Sequence, residues 1–496
     1  MSKKMETAAR QSASGPELLK ALRKVLPIKS ILADPEDTRP YECDALTTYR
    51  QVPFVVVLPE NEAQILDVMS ICRELNIPIV PRGAGTGLSG GAMPIEFGLV
   101  LSTAKLNKIL QVDAYARTAV VQPGVRNLAI SDAAAYLGLY YAPDPSSQLA
   151  CTIGGNLAEN AGGVHCLKYG LTVHNVLRAR VVTIDGEVLE LGSEALDAPG
   201  LDLLSVFIGS EGMLGIVTEI TVKLIPKPQT AQVIMASFDH VEKAGEAVAQ
   251  IIARGIIPAG LEMMDQTSVR MVEPFVNAGY DVNAAAILLC ESDGNVEEVV
   301  DEIARMSQIL TDAGASDLIV SFSEAQRLKL WSGRKNAFPA AGRISPDYYC
   351  VDGTIPRKYL ARMLKAIADM EVKYALQCAN VFHAGDGNLH PLILFDANQD
   401  GAFAKAEAFG AEILELCVTM GGTITGEHGV GIEKLNSMCV QFQDAELNAF
   451  YALKQAFDPW NLLNPSKAIP SLHRCAEMGR MHIRQGQLRF PDLPRF

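Results

Sequence analysis

Three glycine-dense loops fall within residues 82–215, each beside a strand-like run, and they restrict the possible folds more than anything else in the chain. The first closes "PFVVVLPENEAQILDVMSICRELNIPIVPRGAGTGLSGGA", which predicts a strand over 54–58, an amphipathic helix over about 61–75 and a second strand over 77–81. Gly85-Thr-Gly87-Leu-Ser-Gly90 matches the Gly-x-Gly-x-x-Gly dinucleotide pattern. That pattern requires a helix immediately after the glycines, so that its N-terminus meets a pyrophosphate. The chain instead continues "GAMPIEFGLVLST", with Pro94 and another strand, which argues against a nicotinamide-type Rossmann domain. The second loop, "DPSSQLACTIGGNLAENAGG", and the third, in "FIGSEGMLGIVTEITVKLIPKP", repeat the glycine density next to strand patterns. Backbone N–H groups in such turns form anion-binding nests, and glycine permits close approach of a phosphate. Three in succession point to a large phosphate-bearing cofactor.

At 496 residues the chain exceeds one ordinary core and predicts two or three domains. Hydrophobic content of 49% with 40 glycines reads as well-packed globular protein. Lys+Arg 43 against Asp+Glu 57 gives a net charge of −14, which argues against a nucleic-acid or anionic-lipid surface. Early lysines without an apolar run behind them predict no secretory signal, and no window has the roughly 18 apolar residues of a membrane helix. Ten scattered cysteines, none in a Cys-x-x-Cys pair, exclude a legible iron–sulfur or four-cysteine zinc site. They predict buried thiols in a reduced, cytoplasmic protein.

After Lys227-Pro228 the text alternates helical runs such as "EKAGEAVAQIIARG" with strands such as "AAAILLC", predicting a sheet covered by helices. Polar constellations follow in "LWSGRKNAFPAAGR", "DYYCVDGTIP", "VFHAGDGNLHPLILF" and "TITGEHGVGIEK". His383 and His390 alone fit a polar turn better than a metal site. Glu427 and His428, set between glycines, raise the odds: two imidazoles and a carboxylate suit zinc, manganese or iron(II) with positions left open. The flanking glycines are expected to let these side chains converge. Asp386 reads as a fourth ligand or as a partner orienting a histidine, with the orienting or a turn-forming role favoured.

"PRGAGTGLSGGA", "CTIGGNLAENAGG" and "GSEGMLGIVTEITV" together resemble the FAD-binding domain of the vanillyl-alcohol oxidase/p-cresol methylhydroxylase superfamily, in order and spacing. The resemblance implies an α+β fold: a two-subdomain FAD-binding domain (41–228) after an N-terminal helical segment (1–40). A cap or substrate domain with the metal site (229–420), a C-terminal segment returning to the flavin (421–470) and a tail (471–496) complete it. It implies that Pro81, Arg82, Gly83, Ala84, Gly85, Thr86 and Gly87 wrap the FAD pyrophosphate. Pro143, Asp144, Ser146, Ser147, Cys151, Thr152, Gly154, Gly155 and Asn156 would follow along the flavin, with Gly163, Ile216 and Val217 near the adenosine and Asn464 also at the cofactor. No histidine lies between Pro81 and Gly91, so FAD is expected to be non-covalent.

"HAGDGNLH" and "GEHGVG" resemble the metal and catalytic motifs of the FAD-linked D-2-hydroxyacid dehydrogenases. This implies that His383, His390 and Glu427 hold a divalent metal, that His428 is the base, and that Arg334 binds the substrate carboxylate. The implied reaction oxidises a 2-hydroxy acid to the 2-oxo acid with hydride passing to flavin N5. Members that oxidise 2-hydroxyglutarate carry a lysine for the distal carboxylate where this chain has Cys350, so glycolate or D-lactate is expected instead. The glycolate-oxidising branch also implies iron–sulfur and second flavin-domain companion subunits. These, or a quinone, would take the electrons and could hold the chain at the inner membrane. The locally basic tail 471–496 is a candidate docking segment. The rivals are D-lactate or D-2-hydroxyglutarate dehydrogenase, an alkyl-dihydroxyacetonephosphate synthase type, whose histidine-rich motif is not found, and a non-catalytic FAD-binding subunit.

Overall fold

A computed structural model describes residues 15–195 and 200–470; the tail expected to dock a partner lies outside them. The helix Gly15–Val25 buries Leu18 and Leu22 against the helix Glu62–Leu75, which contributes Ile65, Val68 and Met69 to the same core. Asn61 caps the start of that second helix by accepting from Gln64 N, and Asn76 ends it in the left-handed region, where asparagine is tolerated. The strands Val55–Val57, Leu99–Ser102 and Ile79–Arg82 pair in parallel, in that order, with Ile31–Leu32 antiparallel on the edge. Covered on both faces, they read as nearly continuous apolar runs. The first glycine loop therefore joins two parallel strands directly, as its missing helix signal implied.

A second, antiparallel sheet runs in the order Ile109–Asp113, Thr118–Val121, Ile216–Lys223, Val176–Val182, Val188–Gly192. The second glycine motif is not all loop: Ile153–Glu159 is a short helix. Ile153 and Leu157 bury its inner side, and Gly154 lets it approach Pro123, whose carbonyl oxygen would lie 2.9 Å from an added Cβ. Glycine is a poor helix former, so a sequence reading favours a loop; backbone contact is what retains it here.

Beyond residue 227 the chain builds an eight-stranded antiparallel sheet. Its main path is Asp317–Val320, Thr230–Phe238, Ala286–Gly294, Gly260–Asp265, Gln377–His383, Asn388–Phe395, Asp347–Cys350, with Gly353–Thr354 also pairing to Asn388–Phe395. One face is covered by the helices Val241–Ala253, Val296–Asp312, Leu360–Tyr374 and Ala402–Thr419, the other by Gln266–Val276, Glu324–Lys335 and Ala337–Ile344. Among the described residues, no helix is long and apolar enough to cross a membrane. Eight of the described cysteines are free thiols, whereas Cys439 is disulfide-bonded, a departure from the all-thiol expectation for which we have no physical account.

After the helix Asp444–Phe457 the chain runs back to the parallel sheet, where Leu463 bridges Ile79. Buried Lys454 secures this return: its Nζ donates to Asp458 Oδ2 (2.6 Å), Leu463 O (2.6 Å) and Met213 O (2.8 Å). Replacing Lys454 by Met leaves the buried Asp458 carboxylate unpaired and is expected to cost about 3 kcal/mol in an unfolding titration.

Candidate active site

"HAGDGNLH" is a tight β-hairpin in which His383 opposes Asn388 and Val381 opposes His390. Residues 388 and 390 share a strand face, so both imidazoles emerge on one side, with ring centroids 5.0 Å apart. Strand register, rather than glycine freedom, brings them together. Gly387 serves the turn: its φ of 84° is left-handed, and an added Cβ would collide with Ile355 O. Asp386 accepts from Asn388 N at 3.0 Å, so it forms the turn, and the carboxylate that orients a histidine is Glu262.

Glu262, buried on the strand Gly260–Asp265, accepts from His383 Nδ1 at 2.7 Å and from Arg334 Nε at 2.6 Å. With Nδ1 bonded to the carboxylate, His383 Nε2 is left to point 3.2 Å from Glu427 Oε1 and 3.4 Å from Arg334 Nη2. His390 Nε2 lies 3.3 Å from the same Glu427 oxygen and is buried without a hydrogen-bond partner. The donor atoms of His383, His390 and Glu427 all fall within 4.8 Å of one another. An orphaned imidazole nitrogen facing a carboxylate, in an N/N/O set, fits a divalent cation.

The electrostatics agree with that fit. Burial alone would raise the Glu427 carboxyl, but the hydrogen bond and charge of His383, with His390 and His428, hold it at about 2. Burial pulls His383 down, yet Glu262 and Glu427 overcome it and raise His383 well above the usual imidazole range. Two carboxylates thus draw a proton, or a metal cation in its place, to this nitrogen.

Glu427 and His428 sit on the loop 423–431, and their aim is set by Asp352, which is wholly buried. Asp352 Oδ2 accepts from Gly426 N (3.0 Å), His428 N (3.0 Å), Thr425 Oγ1 (2.7 Å) and Lys434 Nζ (3.2 Å), and Oδ1 from Glu427 N (3.2 Å). His428 stacks on His390 at 4.9 Å between centroids. Burial, His390 and Lys434 bring the His428 imidazole down to about 4 against the opposing pull of Asp352, so it is neutral at ordinary pH. Its Nδ1 is shut inside the protein without a partner, while the residue borders the cavity described next.

That cavity, of about 540 Å³, runs from the glycine loops to His390, Glu427 and His428. Pro81, Arg82, Gly83, Ala84, Gly85, Thr86 and Gly87 all line it. Ser146, Ser147, Cys151 and Thr152 join them, followed by Gly154, Gly155 and Asn156, then Ile216 and Val217. Four expected cofactor residues do not. Pro143 is buried and its carbonyl accepts from Asn127, and Asp144 is spent on His165 Nδ1 at 2.7 Å. Gly163 packs on the Asp144 backbone, and Asn464 Nδ2 donates to Gly91 O (2.9 Å) and Glu211 O (2.7 Å), bracing the wall from behind. The Arg82 guanidinium also turns away, donating to Cys43 O at 2.7 Å. Thr152 Oγ1 stands on the wall buried and without a protein partner, as a hydrogen-bonding cofactor requires.

Arg334 is 2% exposed and lies behind His383, off the cavity wall, whereas Lys335, Phe338, Pro339 and Tyr348 form its cap-side lining. Sequence reasoning missed Glu262, Asp352 and Lys434. Asp352 and Lys434 stood inside the quoted motifs "DYYCVDGTIP" and "GEHGVGIEK" as charges set in mostly apolar and glycine text, the signal that could have found them. Glu262, in "GLEMMD", offers only the oddity of a charge in a buried strand.

Comparison with known proteins agrees with this geometry. Residues 53–192 match the family model of the FAD binding domain, and residues 227–468 that of the FAD linked oxidases, C-terminal domain. The chain is 60% identical to the glycolate oxidase subunit GlcD of Escherichia coli K12, over 97% of this chain and 96% of that protein. It is 32% identical to a D-lactate dehydrogenase of Anaerostipes hadrus, over 91% and 97%. The solved structure of p-cresol methylhydroxylase with substrate bound superposes with a TM-score of 0.73 at 17% identity, covering 93% of this chain and 98% of that one, which bears out the expected fold. A two-part oxidoreductase architecture, glycine loops around a cofactor cavity and a cap that adds histidines, follows from both lines: the chain belongs to the FAD-linked oxidase family and is an FAD-dependent oxidoreductase.

Proposed function

We propose that this chain oxidises a short 2-hydroxy acid, glycolate foremost and D-lactate beside it, to glyoxylate or pyruvate. One observation carries the reading: the neutral imidazole of His428 borders the same cavity as the glycine loops, next to His390 and Glu427. The names of the relatives, glycolate oxidase subunit GlcD and D-lactate dehydrogenase, support it.

FAD supplies the two-electron acceptor. A divalent cation (zinc, manganese or iron) held by His383 Nε2, His390 Nε2 and Glu427 would supply a Lewis acid for the substrate hydroxyl. Glu262 fixes the His383 ring and holds Arg334 by its Nε; although Arg334 stands off the cavity wall, its Nη2 lies 3.4 Å from His383 Nε2, where it would meet the carboxylate of a substrate held at the metal. His428 Nε2, the ring nitrogen not shut inside the protein, takes the hydroxyl proton while the α-hydrogen leaves with its electron pair. Asp352 stabilises the imidazolium so formed, since its charge, with that of Glu427, raises His428.

Chain length of the substrate is set opposite. Cys350 is buried behind the lining, on the same strand face as Tyr348, which borders the cavity, and burial pushes its thiol well above the usual range, so it is neutral. A second carboxylate on the substrate would find no cation at that position. The electrons leave through companion subunits, iron–sulfur and flavin-containing, or to a quinone, in keeping with the subunit status of GlcD. The chain works in the cytoplasm, held at the inner membrane by those partners.

Three outcomes test this reading. Replacing His428 by Ala should slow anaerobic flavin bleaching by glycolate roughly 10²–10⁴-fold while FAD content stays unchanged; unaltered bleaching rules out the base. Glu427→Gln, or exhaustive chelation of the wild type, should strip bound metal and activity together while the flavin spectrum persists, with divalent cation restoring only the chelated wild type. Steady-state kcat/KM for glycolate should exceed that for D-2-hydroxyglutarate by about tenfold or more. Equal turnover would remove the Cys350 argument.

A further inference from the structure

His165 follows the second glycine motif and stands at the seam between the cofactor domain and the cap sheet. Its Nδ1 lies 2.7 Å from Asp144 Oδ2 and its Nε2 3.2 Å from Glu291 Oε1. Asp144, of the cofactor domain, also accepts from His165 N at 3.2 Å. Glu291, on the cap strand Ala286–Gly294, is 2% exposed, and its second oxygen accepts from Arg327 Nη1 (2.7 Å) and Trp331 Nε1. Burial would raise the Glu291 carboxyl, but His165 and Arg327 hold it below its usual range, so it is charged. Ionised carboxylates only accept, so an imidazole that meets one at each nitrogen carries a proton on both. Burial would pull His165 down, yet Asp144 and Glu291 raise it well above the usual imidazole range, in keeping with the geometry. Around the ring stand Trp331, at 6.4 Å between centroids, Arg327 beyond Glu291, and Lys168, which is paired with Asp293 at 2.8 Å.

What hangs on Glu291 is the helix Glu324–Lys335. Arg327, Trp331 and Arg334 recur at intervals of four and three, on one helical face, and each ends on a carboxylate of the sheet. The first two reach Glu291, and Arg334 Nε reaches Glu262 at 2.6 Å. Glu291 opposes Gly260 across the paired strands, and Glu262 lies two residues along from Gly260, so both glutamates rise on one face. Gly260 leaves room for Trp331: an added Cβ would press on its ring and on Val164 Cγ1, each at 3.2 Å. Val164, the neighbour of His165, thus packs into the same spot from the cofactor domain. The helix ends with Arg334 beside His383 and Lys335 on the cavity wall.

We propose that His165 is a positioning residue: as an imidazolium bridging Asp144 and Glu291, it latches the helix Glu324–Lys335 onto the cofactor domain and thereby holds Arg334 where the substrate carboxylate arrives. Without the cation, a carboxylate of each domain would face the other across the seam, and Glu291 would keep only its donors on the helix. The loss falls on binding of the substrate anion rather than on proton removal, because the loop of His428 is held separately by Asp352 and Glu211. The role given to Arg334 rests on the proposed oxidation of a hydroxy acid; the latch does not, and one arm of its test uses no substrate.

His165→Gln, His165→Arg and Asp144→Asn are compared with the wild type as FAD-loaded chains. His165→Gln should raise KM for glycolate about tenfold, with kcat within about twofold, as one charge-assisted bridge is lost. Arginine is bulkier but stays charged and can fork between two carboxylates, and the His165 side chain, 26% exposed, leaves it room. His165→Arg should therefore stay within about threefold of the wild type. Asp144→Asn should raise KM by a similar factor to His165→Gln and add little in the double variant, since both remove the same bridge. Without substrate, backbone amides of 324–335 should exchange hydrogen about tenfold faster in His165→Gln than in the wild type, and at the wild-type rate in His165→Arg. Where His165→Gln does not fold, Asp144→Asn carries both arms. Equal exchange in the wild type and His165→Gln overturns the latch, as does an arginine variant as impaired as the glutamine one, or KM losses that add in the double variant. A wild type inert toward glycolate would sink the proposed function and leave the exchange arm to decide the latch.

Discussion

One buried anion organises the reactive end of the molecule. Asp352 gathers three consecutive backbone N–H groups, a threonine hydroxyl and the Lys434 ammonium onto a single carboxylate. Burial would push such a group up, but Lys434, His428 and His390 hold it well below the usual carboxylate range, so it stays charged. A pair like Asp352–Lys434 is weak evidence for stability, since an apolar pair of the same volume often serves as well. Its contribution is direction. A loop with three glycines in nine residues has many conformations, and the anion selects the one that sends Glu427 and His428 to the same place.

The same loop also ties the two halves of the chain together. Val430 N and Gly431 N donate to Glu211, which belongs to the third glycine motif of the cofactor domain, while residues 425–428 are held by Asp352 of the cap. Lys168 adds a second tie, from the cofactor domain to Asp293 of the cap sheet at 2.8 Å. The cavity and His428 are therefore set against each other through hydrogen bonds to one short segment rather than through a broad apolar seam alone.

Much of this was legible in the text. Parallel strands wrote themselves as apolar runs, the glycine loops announced a cofactor, and His383, His390 and Glu427 converge as expected. Two kinds of information were not legible. Glycines at 154 and 155 concealed a helix, because the close approach to Pro123 that retains Gly154 is a tertiary contact with no local signature. Glu262, Asp352 and Lys434 were hidden because a buried charge betrays its partner only in three dimensions: 72 residues separate Glu262 from Arg334, and 82 separate Asp352 from Lys434. Asp386, near enough in sequence to tempt the role of orienting a histidine, spends its carboxylate on the turn instead.

The hairpin register that aims both histidines has an evolutionary corollary. Strand side chains alternate faces with a period of two, so a single residue inserted or deleted between His383 and Asn388 would swing His390 to the opposite side of the sheet. Replacement of a turn residue is a local matter; a change of spacing is not. Indels of one residue should be absent from this segment in any descendant that retains the chemistry, however freely the letters between the histidines drift.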